Sequence, residues 1–182
     1  IAAAFGGLNR INFNAEGDEG KPVIISPERK RQLNRNLMLF FTGFSRFSSD
    51  IQETTQKALA DKEKQLLEML SLVDDAERIL TSKTDLNEFG RLLDYTWKLK
   101  RGISSQISTG TIDDLYDRGM KAGALGGKLL GAGGGGFLLF YVEEDKREAV
   151  HQAMEDLLYV PFRFENSGTR VIYYTPEEYE KR

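Results

Sequence analysis

The chain has 182 residues, 40% of them hydrophobic and 29% charged, which suits a globular fold with a real core. Its net charge of −3 excludes a whole-molecule field that would draw in nucleic acid or an acidic membrane. Without cysteine there is no disulfide framework, thiol nucleophile or cysteine zinc site, and no apolar run approaches the ~20 residues of a bilayer span.

The opening, IAAAFGG, carries neither an initiator Met nor the basic n-region of a signal peptide and reads as a chain entered partway through. Residues 8–14 (LNRINFN) and 22–26 (PVIIS) predict two strands, with the polar AEGDEGK turning between them. Ser26 as N-cap and Pro27 in the first turn then open a helix over PERKRQLNR. Its basic residues Arg29, Lys30, Arg31 and Arg35 spread around the helix and predict a solvated face. LMLFFTGF, residues 37–44, is an apolar run ended by Gly43 and predicts a buried strand.

Helical periodicity follows from residue 50 to about residue 81 through Leu66, Met69, Leu70, Val73, Ala76 and Leu80, with a break near Asp61. Asp85 with Glu88 resembles a capping box for the next helix, whose one face carries Phe89, Leu92, Leu93, Trp97 and Lys100. Trp97 in that stripe is a core residue rather than a stacking platform. Thr111 with Asp114 begins a further helix that Gly123 ends. FLLFYV then predicts a strand, Asp145 with Glu148 a helix cap over residues 146–158, and VPFRFE with TRVIYYT a hairpin across NSG, where Gly168 takes positive φ. The lone His151 lies beside the apolar stripe of its helix, a boundary position. Sequential strands joined by such a turn indicate antiparallel pairing, hence an α+β fold.

The run KLLGAGGGGFLLFYV, residues 128–142, is the least ordinary feature. Five of the six residues at 131–136 are glycine, which is costly to order, yet both flanks are apolar. A P-loop reading fails because Ala122 stands where its first glycine belongs and Leu129 where its hydroxyl belongs. Gly131, Gly133 and Gly136 satisfy G-x-G-x-x-G, but a strand follows where the dinucleotide fingerprint needs a helix. A protein-kinase glycine loop would need V-A-I-K, H-R-D and D-F-G elements, which are absent. Two readings remain open on pattern alone. One is a tight β–β connection that lets a neighbour approach closely. The other is a set of bare amides that hold an anion or brace an anion-binding loop.

Several segments together carry a resemblance. AAAFGGLNRINF, LMLFFTGFSRFSSDI, WKLKRGISSQIS, IDDLYDRGMKAGALGGKLLGAGGGGFLLF and VPFRFENSGTRVIYY, in that order, resemble the C-terminal part of a GHMP-superfamily small-molecule kinase, nearest to the D-glycero-D-manno-heptose 7-phosphate or 1-phosphate kinases. KLLGAGGGGFLLFY resembles that superfamily's third motif, a glycine-rich turn entering a strand.

The resemblance implies a ferredoxin-like antiparallel sheet backed by helices, over residues 27–182, with residues 1–26 as two strands left from an N-terminal lobe. It implies a cytoplasmic enzyme that uses ATP and Mg²⁺ to phosphorylate the anomeric hydroxyl of a heptose 7-phosphate. In the family fold the third-motif turn packs beside the nucleotide-phosphate loop, so Gly131, Ala132, Gly133, Gly134, Gly135 and Gly136 are its cofactor-binding residues. For the sugar phosphate the best candidates are Thr42, Gly43, Ser45 and Arg46 in TGFSR, a guanidinium fork being suited to phosphate. The alternative is that Thr42 and Gly43 merely end a strand while Ser45 caps the next helix. Lys128 either faces phosphate or is solvated, the latter being favoured. Relatives carry an Asn-Pro-like pair where Thr109 and Gly110 stand here.

Neither the family's Gly-Leu-Gly-Ser-Ser-Ser-like phosphate loop nor its Gly-x-x-Asp-Gln-Tyr-like helix occurs in the chain, so no catalytic residue and no metal ligand is assigned within it. The missing lobe, or self-association through Leu8, Ile11, Phe13, Val23, Ile24 and Ile25, is the expected partner. The alternatives are a fucose, galactose or mevalonate type of kinase, or a non-catalytic α+β binding module.

Overall fold

The computed structural model describes residues 1–44, 61–104, 107–131 and 133–173. Two compact units divide the chain: one comprises Ile1–Ile24 with the residues from Arg163 onward, the other Ile25–Phe162.

In the first unit a single turn, α1 (Ala2–Phe5), precedes a hairpin of β1 (Asn9–Asn14) and β2 (Gly17–Pro22). Asn9 faces Pro22 and Asn14 faces Gly17, so the turn is only Ala15 and Glu16. The second strand is therefore the polar GDEGKP and not PVIIS as the apolar pattern suggested. A turn closing at Ala15–Glu16 forces pairing from Gly17 onward, and the ladder ends as Val23 N–H donates to Leu8 O at 2.8 Å. Phe13 and Ile24 are exposed, and Leu8, Ile11, Val23 and Ile25 are half-buried.

The expected hairpin after residue 160 does not form among the described residues. Instead Gly7 N–H donates to Glu165 O and Thr169 N–H to Ala4 O, each at 2.9 Å. Gly168 is bare because a Cβ there would stand 1.8 Å from Ala4 O, not because its φ is positive. Gly6, with φ +67°, meets the Ser167 backbone from the other side.

The second unit holds the core. Ser26 Oγ accepts from Arg29 N–H at 3.1 Å and Pro27 fills the first turn of α2 (Pro27–Asn36), as its sequence predicts. The solvated reading of its basic face fails for Arg29. Its guanidinium donates to the carbonyls of Ile79, Leu80 and Thr84, closing the end of α3 (Glu63–Thr81), whose last carbonyls have no helical partner. The part of the expected helix before residue 61 lies outside the described residues.

Helix α4 (Asn87–Arg101) opens with Asp85 Oδ1 accepting from Asn87 N–H at 3.0 Å. Helix α5 (Gly110–Lys121) is capped by Thr109, whose hydroxyl accepts from Ile112 N–H, so the expected cap at Thr111 sits two residues too late. Gly123, at φ +116°, ends it.

The sheet runs β4 (Ala124–Leu130), β5 (Phe137–Val142), β3 (Leu37–Phe41), β6 (Leu158–Tyr159), with every neighbouring pair antiparallel. Strand β4 went unpredicted because ALGGKLL carries two glycines and a lysine, residues that strands disfavour. A 3-10 turn (Glu144–Lys146) leads into α6 (Arg147–Ala153), which stops well before residue 158 because Leu158 and Tyr159 leave to pair with Phe41 and Phe40.

Met38, Phe40, Trp97, Ile112, Tyr116, Leu129, Leu138, Phe140 and Val150 form one continuous cluster joining sheet and helices. Trp97 is buried there beside Tyr116, as its place on the apolar face of α4 predicts. His151 is exposed, with its ring against Phe40 and Tyr159. No described helix is long and apolar enough to cross a membrane.

Candidate functional site

The glycine run is the connection between β4 and β5. Leu130 pairs with Phe137, leaving residues 131–136 as the loop. Gly131, Gly133, Gly134 and Gly136 have φ of +94°, +127°, +71° and +107°, a region closed to most side chains. This conformation requires glycine even before any ligand is considered.

Close approach imposes a second requirement. A Cβ on Gly133 would lie 2.8 Å from the Ile107 backbone, and one on Gly135 2.6 Å from Phe44 O. Gly134 N–H donates to Ile107 O at 3.0 Å, and Gly136 N–H donates to Phe44 O at 2.9 Å. The glycines admit the chain's own backbone, and two of the loop's amides are spent on it. Gly133 and Gly135 donate to no described residue.

Thr42, one residue past β3, fastens the loop to the sheet. Its hydroxyl donates to Gly136 O at 2.9 Å and accepts from Gly136 N–H at 3.2 Å, while its own N–H also donates to Gly136 O. The side chain is 3% exposed, so this hydroxyl is committed within the fold. Gly43 follows at φ +76° with open space where a Cβ would stand. Ser45, Arg46 and Ala132 lie outside the described residues.

The far side of the loop rests on the connection between α4 and α5. Arg101 bonds Asp113 at 2.5 Å, Ser108 Oγ donates to the same carboxylate oxygen at 2.7 Å, and the guanidinium lies 5.8 Å from the centre of the Tyr116 ring. These contacts pin the segment that presents Ile107 to the glycines. Lys100, in the last turn of α4, donates from Nζ to Gly131 O at 3.0 Å.

Lys128 departs from its expected solvation. It is half-buried on β4, and burial holds its ammonium below the ordinary lysine range. Burial lowers Lys100 too, with repulsion from Lys128 adding to it. Sequence reasoning missed Lys100 and Ile107. For Lys100 the signal was visible, a cation standing in an otherwise apolar helical stripe. For Ile107 there was none, since only its backbone takes part.

Thr42, Gly131, Gly133–Gly136 and Lys100 are thus brought together at one end of the sheet, and Lys128 lies on β4 two residues short of its last residue, Leu130. No three His, Cys, Asp or Glu side chains converge to hold a metal ion among the described residues. A separate open depression of about 560 Å³ is lined by Asp114, Asp117, Arg118, Lys121, Ala122 and Ala153, none of which belongs to the loop.

Residues 73–160 match the family described as GHMP kinases C terminal. The chain is 31% identical over 160 residues to a D-glycero-alpha-D-manno-heptose 7-phosphate kinase of Campylobacter jejuni, covering 84% of this chain and 46% of the relative. It therefore spans about half the length of that relative. Among solved structures, a mevalonate kinase of L. major complexed with R-mevalonate superposes with a TM-score of 0.71 at 21% identity, over 93% of this chain and 52% of that one. A D-glycero-D-manno-heptose 1-phosphate kinase of Bacteroides thetaiotaomicron gives 0.54 at 24%, over 92% of this chain and 45% of that one. The family match thus places a GHMP kinase C-terminal domain at residues 73–160, and these solved structures share the fold of the chain.

Proposed function

We propose that the full-length protein transfers the γ-phosphoryl group of ATP to the anomeric hydroxyl of D-glycero-D-manno-heptose 7-phosphate, releasing ADP, on a route to nucleotide-activated heptose in the cytoplasm. The observation that carries this reading is the 31% identity to a heptose 7-phosphate kinase over most of the chain.

In this reading the glycine turn contributes to the nucleotide site chiefly by rigidity. Its backbone is held by Thr42, Phe44, Ile107 and Lys100, so it can press against a separate phosphate loop without moving. The amides of Gly133 and Gly135, which donate to no described residue, are its own means of touching phosphate. Gly43, Ser45 and Arg46 are assigned to the sugar phosphate, with Thr42 holding the start of that segment. ATP brings the transferable phosphoryl group and Mg²⁺ neutralises its developing charge.

The phosphate loop, the catalytic carboxylate and the Mg²⁺ ligands are assigned to sequence outside these 182 residues, because neither motif occurs within them. Residues 1–26 are assigned to the first lobe, whose remainder covers Phe13 and Ile24. The 182 residues alone are accordingly expected to turn over no ATP.

The test is a coupled ADP-release assay on the full-length protein with heptose 7-phosphate, heptose 1-phosphate, mevalonate, fucose and galactose. The highest kcat/KM is expected for heptose 7-phosphate. Absence of turnover on every substrate, or a preference for mevalonate, overturns the assignment.

A further inference from the structure

Ile107 is held on every side. Its side chain is buried in the core, its N–H donates to Ser104 O at 3.2 Å, and its carbonyl accepts from Gly134 N–H at 3.0 Å. Its backbone also stands where a Cβ on Gly133 would come within 2.8 Å. A displacement of Ile107 is therefore passed to Gly133 and Gly134 by direct contact.

One carboxylate oxygen fixes the chain on the far side of Ile107. Asp113 Oδ1 accepts from Arg101 at 2.5 Å and from Ser108 Oγ at 2.7 Å. The end of α4, the residue after Ile107 and the first turn of α5 all meet at this atom. Arg101 is in turn aimed by two rings, its guanidinium lying 6.0 Å from the centre of the Trp97 ring and 5.8 Å from that of Tyr116.

Helix stability does not account for this arrangement. Thr109 already caps α5 through Ile112 N–H, and the exposed Asp114 brings a second negative charge to the same end of the helix. Nor does the strength of the ion pair, since its side chains are 28% and 42% exposed and such wet pairs add little stability. What sets Asp113 apart is that both of its partners come from outside its own helix.

We propose that Asp113, through Arg101 and Ser108, is a positioning residue that sets the Ile107 carbonyl and with it the backbone of Gly133 and Gly134. It touches no substrate and acts only through Ile107. This deepens the kinase reading and rests on it for what the turn is set against, which is ATP. Rates are sensitive to small misplacements of such groups, so a carboxylate remote from the nucleotide controls its fit.

The test is amide hydrogen exchange resolved to single residues in the full-length protein, beside steady-state kinetics. The variants are Asp113→Ala, Arg101→Met, Arg101→Lys and, as a control for charge at the helix start, Asp114→Ala. Asp113→Ala and Arg101→Met are expected to speed exchange at Gly134 by roughly tenfold, the scale of one hydrogen bond. Gly136, whose N–H is held by Phe44 O and Thr42 on the other side, is expected to keep its rate. The KM for ATP should rise on the order of tenfold while that for heptose 7-phosphate stays, and Arg101→Lys should recover part of both effects. Asp114→Ala should produce neither.

Equal acceleration at Gly134 and Gly136 would mean general loosening and overturns the proposal. So does an unchanged Gly134, an equal rise in both KM values, or the same response from Asp114→Ala. The kinase reading is judged separately, by turnover of the unmodified protein. Without turnover that reading falls, and the exchange comparison alone retains or removes the positioning role.

Discussion

Gly126 on β4 lies against Gly90 on α4 so closely that a Cβ on Gly126 would stand 1.9 Å from Gly90 O and 2.8 Å from Asp94 N. Both obstacles are backbone and cannot swing away. The pair lets α4 sit directly on the edge strand, which in turn brings Lys100, at the other end of the helix, to the glycine loop. Gly126→Ala is therefore expected to cost about 3 kcal/mol and lower Tm by roughly 6–12 °C, the upper range for overpacking. Gly20→Ala, where a Cβ meets nothing, should stay within about 0.5 kcal/mol. Calorimetric melting of the two variants checks the difference.

Thr42 should be worth more for its hydroxyl than for its methyl group. Thr42→Val keeps the volume but leaves Gly136 without a buried hydroxyl partner, at an expected cost of about 1–3 kcal/mol. Thr42→Ser, which keeps the oxygen, is expected to lose clearly less. Urea denaturation midpoints at unchanged slope decide between them, and equal losses would remove the hydroxyl's role.

Within the loop, conformation and crowding can be separated. Gly131→Ala meets open space and suffers only its positive φ, about 1–2 kcal/mol. Gly133→Ala has the same kind of strain and also presses on the Ile107 backbone at 2.8 Å, so it should lose more. In the full-length protein, Gly133→Ala should raise the KM for ATP more than Gly131→Ala does. Steady-state kinetics beside melting curves would show both.

Tyr116 makes alkaline stability a measurable property of the fold. Burial first, then its hydrogen bond to Asp94 at 2.8 Å, pushes its hydroxyl well above the usual tyrosine range. The folded state therefore holds a proton that the unfolded chain releases near pH ~10. That stabilisation is complete below the unfolded value and is lost as pH climbs above it. Tyr116→Phe should show a shallower fall in Tm above about pH 10 than the parent. A residual slope is expected from Tyr141, also raised by burial. Identical slopes would exclude the Tyr116 contribution.

Where short-range chemistry governs, the sequence alone was enough. Ser26–Pro27 starts α2, the periodic face through Trp97 enters the core, LMLFF and FLLFYV are strands, and residues 73–160 match the family that the sequence resembles. Each is decided by a local pattern whose physical cause lies within a few residues. Strand β4 was illegible because its glycines are explained by Gly90 on one side and by Leu139 and Phe140 on the other, residues remote in sequence. The role of Arg29 as a cap on α3, fifty residues away, was hidden for the same reason.

The glycine run shows the division most clearly. Its sequence determined that the backbone there must be bare and that a strand must follow, since only glycine takes those angles and only an apolar run fills that core. Which neighbours the bare backbone admits was decided by tertiary structure alone. Ile107, Phe44 and Thr42 reach the loop through backbone groups and one hydroxyl, and a backbone carbonyl leaves no mark on the identity of the residue that carries it.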